Sequence, residues 1–132
     1  MLKGLGVGML VLFRVVGALY LVSGLWCGLQ LEAASSFLGF SIATPTGYAE
    51  FFSVYGGLQI GLGLAMLITS AHKHYVEASI YFSAIFSSCL ALFRLISFGL
   101  YGFLPDFVVM LILELMIALV LWWAWSKQKS SH

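Results

Sequence analysis

Four charged side chains lie inside or at the edge of long apolar stretches, and their chemistry makes them the candidate functional residues of this sequence. Arg14, Arg94 and Glu114 each interrupt an apolar run, and Glu50 stands at the start of another. A charge at bilayer depth costs several kcal/mol unless it faces an opposite charge or a wet cavity. We therefore predict an intramembrane polar cluster, which would either bind an anion, a polar head group or a proton, or fix the register of packed helices.

The depth of each charge along its helix indicates which charges pair. Arg14 and Glu114 lie near the centres of their spans, whereas Arg94 and Glu50 lie about 9 and 15 Å further outward by helix rise. The level pairings are Arg14 with Glu114 and Arg94 with Glu50, and Arg94 with Glu114 is a looser third pairing. Two polar side chains on the Glu50 helix complete the predicted network, namely Tyr55 and Gln59.

The elements that must position these charges are apolar helices of membrane length. Of the 132 residues, 62% are hydrophobic and 8% are charged, and the mean hydropathy is +1.06, whereas soluble domains have about 25% charged residues. An apolar helix of about 20 residues crosses the hydrocarbon core of a bilayer. The fold class is therefore all-α, a four-transmembrane-helix bundle. Its spans are predicted at residues 4–28, 49–70, 76–98 and 105–125 of a single membrane domain, 1–126, before a short cytoplasmic tail, 127–132.

Small residues mark the helix faces that we expect to pack. Gly57 and Gly61 form a GxxxG step on the face that carries Glu50, and we predict that this face contacts another helix. Both arginines also lie on small-residue faces, which we expect to point towards other helices. These faces are Gly17, Ala18, Leu21, Gly24 and Gly28 beside Arg14, and Ser83, Ser87, Ala91 and Ser97 beside Arg94.

A short tripeptide occurs twice in the sequence, once in the first span and once in the third. Leu12-Phe13-Arg14 recurs as Leu92-Phe93-Arg94, and each arginine helix precedes a helix with a glutamate, which indicates an internal two-helix pseudo-repeat.

The segment Leu29–Tyr48 mixes polar and apolar residues. It is predicted to lie at the membrane interface or to fold back over the bundle mouth as a lid, with a plain connector as the alternative. Thr44-Pro45-Thr46-Gly47 is expected to break the chain before the second helix.

The lysines predict the orientation of the chain. Lys3, Lys73, Lys127 and Lys129 all fall on one side of a chain that crosses four times, and the loops on the other side contain no lysine or arginine. Because positive residues favour the cytoplasmic side, we predict a multi-pass protein of the inner membrane with both termini in the cytoplasm.

Several function classes are not favoured by the sequence. The net charge of +1 leaves no basic stripe for a nucleic acid. The histidines lie in a turn or the tail, so neither haem ligation at depth nor a metal site is expected. Cys27 and Cys89 form no CxxC motif and are interpreted as small apolar residues. We therefore predict no catalytic residue, no metal site and no cofactor, with a bound quinone or lipid as the alternative to the last.

A resemblance to a known family rests mainly on the second span. Ala49-Glu50-Phe51 leads into Tyr55-Gly56-Gly57-Leu58-Gln59-Ile60-Gly61-Leu62-Gly63, with an arginine in the first and third helices and an acid in the fourth. In these features the chain resembles the bacterial family called domain of unknown function 4345, within the DoxD-like superfamily of small four-span membrane proteins. The family pattern often has an arginine just after the glutamate, where this chain has Phe51 and Phe52.

The resemblance implies a four-helix integral membrane protein with no established activity. Some relatives in the superfamily are small subunits of membrane-bound sulfur oxidoreductases that work with quinone, so the resemblance also implies an accessory redox role as one alternative. From the residues themselves we predict a non-enzymatic protein that binds a lipid-like or small polar ligand or a partner protein. The other alternative is a proton-coupled transporter or channel. The expected partners are membrane lipids, a second copy of the chain or a membrane enzyme.

Overall fold

The computed structural model describes residues 6–129, which are helical almost throughout. In chain order the helices are α1 (Gly6–Leu29), α2 (Leu31–Phe37), α3 (Pro45–Ser70), α4 (Val76–Tyr101) and α5 (Pro105–Lys129). No strand occurs between residues 6 and 129. All of these helices except α2 are long and apolar enough to cross a membrane. The prediction of an all-α fold with four membrane-length helices is thus confirmed.

Helix boundaries differ from the predicted spans by three or four residues at the start of α3 and at the ends of α4 and α5. Thr44 has an extended backbone, its Oγ1 accepts a hydrogen bond from the Gly47 N–H at 3.1 Å, and Pro45 occupies the first turn. The run predicted to break the chain therefore caps and starts α3, because proline at the first turn sacrifices no helical hydrogen bond. At the C-terminal end of the described chain, α5 continues to Lys129, so the predicted tail begins inside a helix. The predictions for Lys3 and for residues 130–132 lie outside the described residues.

A π-helical segment, Phe52–Leu58, interrupts the α-helical register of α3. A π turn holds one more residue than an α turn, so every later side chain is rotated by about 100° from its expected direction. The buried positions of α3 accordingly run from Phe51 to Gly56 and then to Gly63, a step of five followed by a step of seven. In an uninterrupted α-helix, residues on one face are three, four or seven positions apart, so the step of five marks the extra residue.

The described chain forms two compact units. One unit is Arg14–Ile68, which contains most of α1, the short helix α2 and nearly all of α3. The other contains residues 6–13 and 69–129, and therefore α4 and α5.

In the unit Arg14–Ile68, α1 and α3 approach each other at glycines. A Cβ atom on Gly24 would lie 2.7 Å from the backbone nitrogen of Ile60, and one on Gly63 would lie 2.6 Å from the backbone nitrogen of Leu21. Such distances are shorter than any side chain tolerates, so the two backbones are in direct contact. Of the small-residue face predicted beside Arg14, Gly17 and Gly24 are therefore in this helix contact, whereas Ala18 and Arg14 itself are exposed.

The contact predicted for Gly57 and Gly61 is not made among the described residues. A Cβ atom on either glycine would meet nothing within 4 Å, and both residues are exposed. The contact lies instead at Gly56 and Gly63, on the face that carries Phe51 rather than the face that carries Glu50. The prediction took the GxxxG step as the contact, whereas the glycines that meet α1 are seven residues apart, a spacing that also places them on one helix face.

In the second unit, α4 packs against α5 through small and polar side chains. Ser83, Ser87 and Ala91 are buried on α4, which agrees with the predicted small-residue face beside Arg94. Near the other end of this contact, the indole nitrogen of Trp122 donates to the hydroxyl of Ser88 at 2.6 Å. A hydrogen bond between helices satisfies two polar groups that lipid cannot satisfy, so it favours this one register.

Candidate functional site

Arg94 on α4 and Glu114 on α5 form a bidentate ion pair. Arg94 Nε lies 2.6 Å from Glu114 Oε2, and Arg94 Nη2 lies 2.7 Å from Glu114 Oε1. The side chains are only 18% and 10% exposed, respectively. The guanidinium carbon also lies 5.1 Å from the centroid of the Phe107 ring, within the range of a cation–π contact.

This ion pair is the third of the three pairings that the sequence predicted. The side chain of an arginine reaches several ångströms along its stem, so a difference in depth does not prevent Arg94 from meeting Glu114. Because both oxygens of Glu114 accept hydrogen bonds from one guanidinium, the pair is electrically neutral and holds α4 against α5. Arg14 and Glu50 belong to the other unit, and the pairings that involve them stay predictions.

A cleft in the unit Arg14–Ile68 brings together two of the predicted site residues. The chain after α2 folds back onto the start of α3, and we call this returning segment, residues 40–44, the strap. Between the strap and α3 lies a cleft of about 450 Å³. Its lining consists of Phe40, Ser41, Ile42, Ala43, Thr44, Gly47, Glu50, Phe51, Val54 and Tyr55.

Local geometry explains why the strap returns to α3. Gly39 has a φ of +82°, a conformation that glycine adopts readily, and it reverses the chain at the end of α2. The Phe40 N–H then donates to the Ser35 carbonyl at 2.8 Å. Whether the segment Leu29–Tyr48 lies at the membrane interface or folds back over the bundle mouth as a lid stays a prediction.

Three aromatic rings hold the strap against α3. The centroid of the Phe40 ring lies 5.5 Å from that of Phe51 and 5.3 Å from that of Tyr55, both in edge-on contacts. Phe51 and Tyr55 are stacked at 4.7 Å. Phe51 is in turn buried against Cys27 of α1 and Ala34 of α2. Rings packed in this way contribute about 0.5–1.5 kcal/mol per pair beyond the area that they bury.

The electrostatics of the cleft depend on one residue. Glu50 is exposed and is the only charged side chain in the lining. The other polar side chains in the lining are the hydroxyl-bearing Ser41, Thr44 and Tyr55. The cleft thus combines one carboxylate with apolar and aromatic walls.

The remaining candidates are placed apart from this cleft. Gln59 lies one turn beyond Tyr55 and is not part of the lining; its Oε1 is buried and accepts no hydrogen bond from the residues that the structure describes. Arg14 is exposed on α1. Between residues 6 and 129 there is also no group of three or more histidine, cysteine or acidic side chains that could hold a metal ion.

The sequence did not identify the strap or the rings of Phe40 and Phe51 as parts of a site. The signal that was present is a set of aromatic residues in an otherwise polar connector, at Phe37 and Phe40. Which face of α3 they meet depends on the return angle at Gly39 and on the π turn, and neither has a clear signature in the sequence.

The family comparison gives one match. The model of the family described as Domain of unknown function (DUF4345) matches residues 1–125. No curated protein and no solved structure matches the chain.

Proposed function

This chain belongs to the family described as Domain of unknown function (DUF4345), and from its four membrane-length helices and its cleft we propose that it is a membrane protein that binds a lipid-like molecule. The observation that carries the proposal is the cleft between the strap and α3. Its volume of about 450 Å³ is within the range of about 300–1,000 Å³ that small-molecule sites have. Apolar walls would take the chain of the ligand, and the polar mouth at Glu50 would take its head.

The location of the cleft supports a ligand that comes from the bilayer. The strap precedes the first turn of α3, which is a membrane-length helix, so the cleft is at one end of that span. The ends of spans lie at the level of the lipid head groups, where apolar and polar parts of an amphipathic molecule separate naturally. We propose further that the protein is in the inner membrane with both termini in the cytoplasm, because the lysines follow that arrangement.

The Arg94–Glu114 pair supports a structural function better than a transport function. A carboxylate that carries protons through a membrane must be released from its partner at some stage, and here both oxygens are held by one guanidinium. The pair therefore favours the interpretation in which charges fix the packing of α4 and α5.

The proposal is tested by mass spectrometry of the protein purified from its own membrane in a neutral detergent. We expect a bound lipid-like molecule on the unmodified protein and a loss of about tenfold in its occupancy in Phe40→Ala, because that variant removes a wall of the cleft and a ring contact. Phe37→Ala is the matched control, since Phe37 is 73% exposed and lies outside the lining.

Two outcomes would contradict the proposal. One is the absence of any bound molecule on the unmodified protein. The other is an equal loss of the molecule in Phe40→Ala and Phe37→Ala, which would place it elsewhere on the surface.

A further inference from the structure

We infer that the cleft selects a ligand with a cationic ammonium head and no phosphate, such as a long-chain amine. This inference rests on the proposed function and narrows it from a lipid-like molecule to one chemical class. It follows from the charge of the lining, from the state of the amides at the start of α3 and from the rings beside Glu50.

The charge of the lining favours a cation. Glu50 is exposed in the lining, and no lysine, arginine or histidine is among the residues that surround the cleft. A phosphate or carboxylate head would meet a like charge there, with no cation among the lining residues to neutralise it. An ammonium group would meet an opposite charge at the edge of a low-dielectric environment, where attraction is stronger than in water.

The amides at the start of α3 do not offset this preference. The start of a helix normally attracts anions through free backbone N–H groups. Here Pro45 has no N–H, the Gly47 N–H is bonded to the Thr44 hydroxyl, and the Tyr48 N–H is bonded to the Thr44 carbonyl. Of the four amide positions at this helix start that could hold a phosphate, those of Pro45 and Gly47 are therefore absent or already in use.

The aromatic side chains add a second reason for a cation. Phe40 and Tyr55 line the same cleft as Glu50, and Phe40 keeps 44% of its surface exposed although its ring contacts Phe51 and Tyr55. An ammonium group is attracted to the face of an aromatic ring, whereas a neutral hydroxyl or an anion is not. The carboxylate of Glu50 and the exposed aromatic surface therefore both attract a cationic head group in this cleft.

The inference is tested with three probes that share one alkyl chain and differ only in the head: hexadecylamine, hexadecanol and hexadecyl phosphate. Each is added to the full-length protein in neutral maltoside micelles, and the bound probe is counted by native mass spectrometry. We expect the amine to bind about fivefold more tightly than the alcohol, which corresponds to about 1 kcal/mol, and the phosphate to bind more weakly than the alcohol.

Substitutions at Glu50 test whether its charge causes the preference for the amine. In Glu50→Gln the fivefold preference for the amine over hexadecanol should disappear. Glu50→Asp should retain part of the preference. Glu32→Gln is the matched control, because Glu32 is an exposed acid on α2 outside the lining, and it should behave as the unmodified protein.

The outcomes separate this inference from the proposed function. If hexadecanol or the phosphate binds as tightly as the amine, the inference is wrong and the proposed function stands. Binding of none of the three probes would overturn both. A preference for the amine that survives in Glu50→Gln, with hexadecanol still bound, would also overturn the inference, because the charge would then act from another place.

Discussion

At the scale of single residues, the Arg94–Glu114 pair differs from a surface ion pair in what its removal leaves behind. Its hydrogen bonds of 2.6 and 2.7 Å are formed by side chains that are mostly excluded from solvent. Removal of one partner leaves the other charge among apolar side chains without a counterion. Removal of both leaves no buried charge, so the pair contributes more to the choice of helix partner than to net stability.

We predict that Arg94→Met lowers the free energy of unfolding by about 3 kcal/mol, because Glu114 is then left unpaired. The double variant Arg94→Met/Glu114→Leu should recover most of that loss. Reversible unfolding in a neutral detergent measures both values. Asp106→Asn is the control, since Asp106 is an exposed acid in the first turn of α5 and should cost less than about 1 kcal/mol. A double variant as unstable as the single one would show that the pair adds net stability.

The glycines of α3 allow a second comparison at this scale. Gly63→Ala would place a Cβ atom 2.6 Å from the backbone of α1, so α1 and α3 must separate. We expect a loss of about 1–3 kcal/mol in stability, as for other overpacked contacts. Gly61→Ala meets nothing within 4 Å and should be neutral or stabilising by up to about 1 kcal/mol, because alanine is the better helix former. Thermal unfolding of the two variants side by side would refute this assignment if Gly61→Ala were the less stable.

At the scale of elements, the π-helical segment Phe52–Leu58 decides which residues of α3 are buried. The small-residue face of α1 could be predicted from spacing because α1 is α-helical throughout, and the face of α4 that carries Ser83, Ser87 and Ala91 could be predicted for the same reason. For α3 the same reasoning gave Gly57 and Gly61 in place of Gly56 and Gly63. Gly56 and Gly63 are seven residues apart and also share one helix face, so spacing alone does not choose between the two pairs of glycines.

Deletion of one residue tests the π turn. Loss of the exposed Ser53 should convert the segment into a regular α-helix while Phe51 and Gly63 keep their common face, so we expect stability within about 1 kcal/mol of the unmodified chain. Deletion of the exposed Leu64, in the regular part of α3, should instead rotate the residues that follow by about 100° and prevent folding. The yield of monodisperse protein extracted in detergent measures this difference. Equal yields from the two deletions would show that the π turn does not absorb the inserted residue.

At the scale of the whole molecule, the apolar lengths were sufficient to predict the fold class and the four membrane-length helices. Within lipid, a spanning segment must form its backbone hydrogen bonds internally, as a helix does. The length and hydropathy of an apolar run are therefore sufficient to predict a membrane-length helix. The partner of Arg94 and the cleft at Glu50 could not be derived in this way. The ion pair depends on the register of α4 against α5, and the cleft depends on the turn at Gly39 that returns the strap to α3.

Orientation can be measured with single cysteines in a Cys27→Ala/Cys89→Ala background. We expect Ser41→Cys, in the strap, to react with a membrane-impermeant maleimide on intact cells. His74→Cys, in the exposed turn between α3 and α4, should react only after the cells are made permeable, because Lys73 favours the cytoplasmic side. Labelling of both positions from the same side would contradict the four-crossing topology.

The distribution of tryptophans gives the molecule two separate optical reporters. Trp26 belongs to the unit Arg14–Ile68, whereas Trp122, Trp123 and Trp125 all belong to the other unit. Fluorescence from Trp26→Phe would therefore follow only the unit of α4 and α5. A chain that keeps Trp26 alone would follow the unit that contains the strap. Melting curves recorded on the two proteins would reveal whether the two halves of this small chain lose their structure at one temperature or at two.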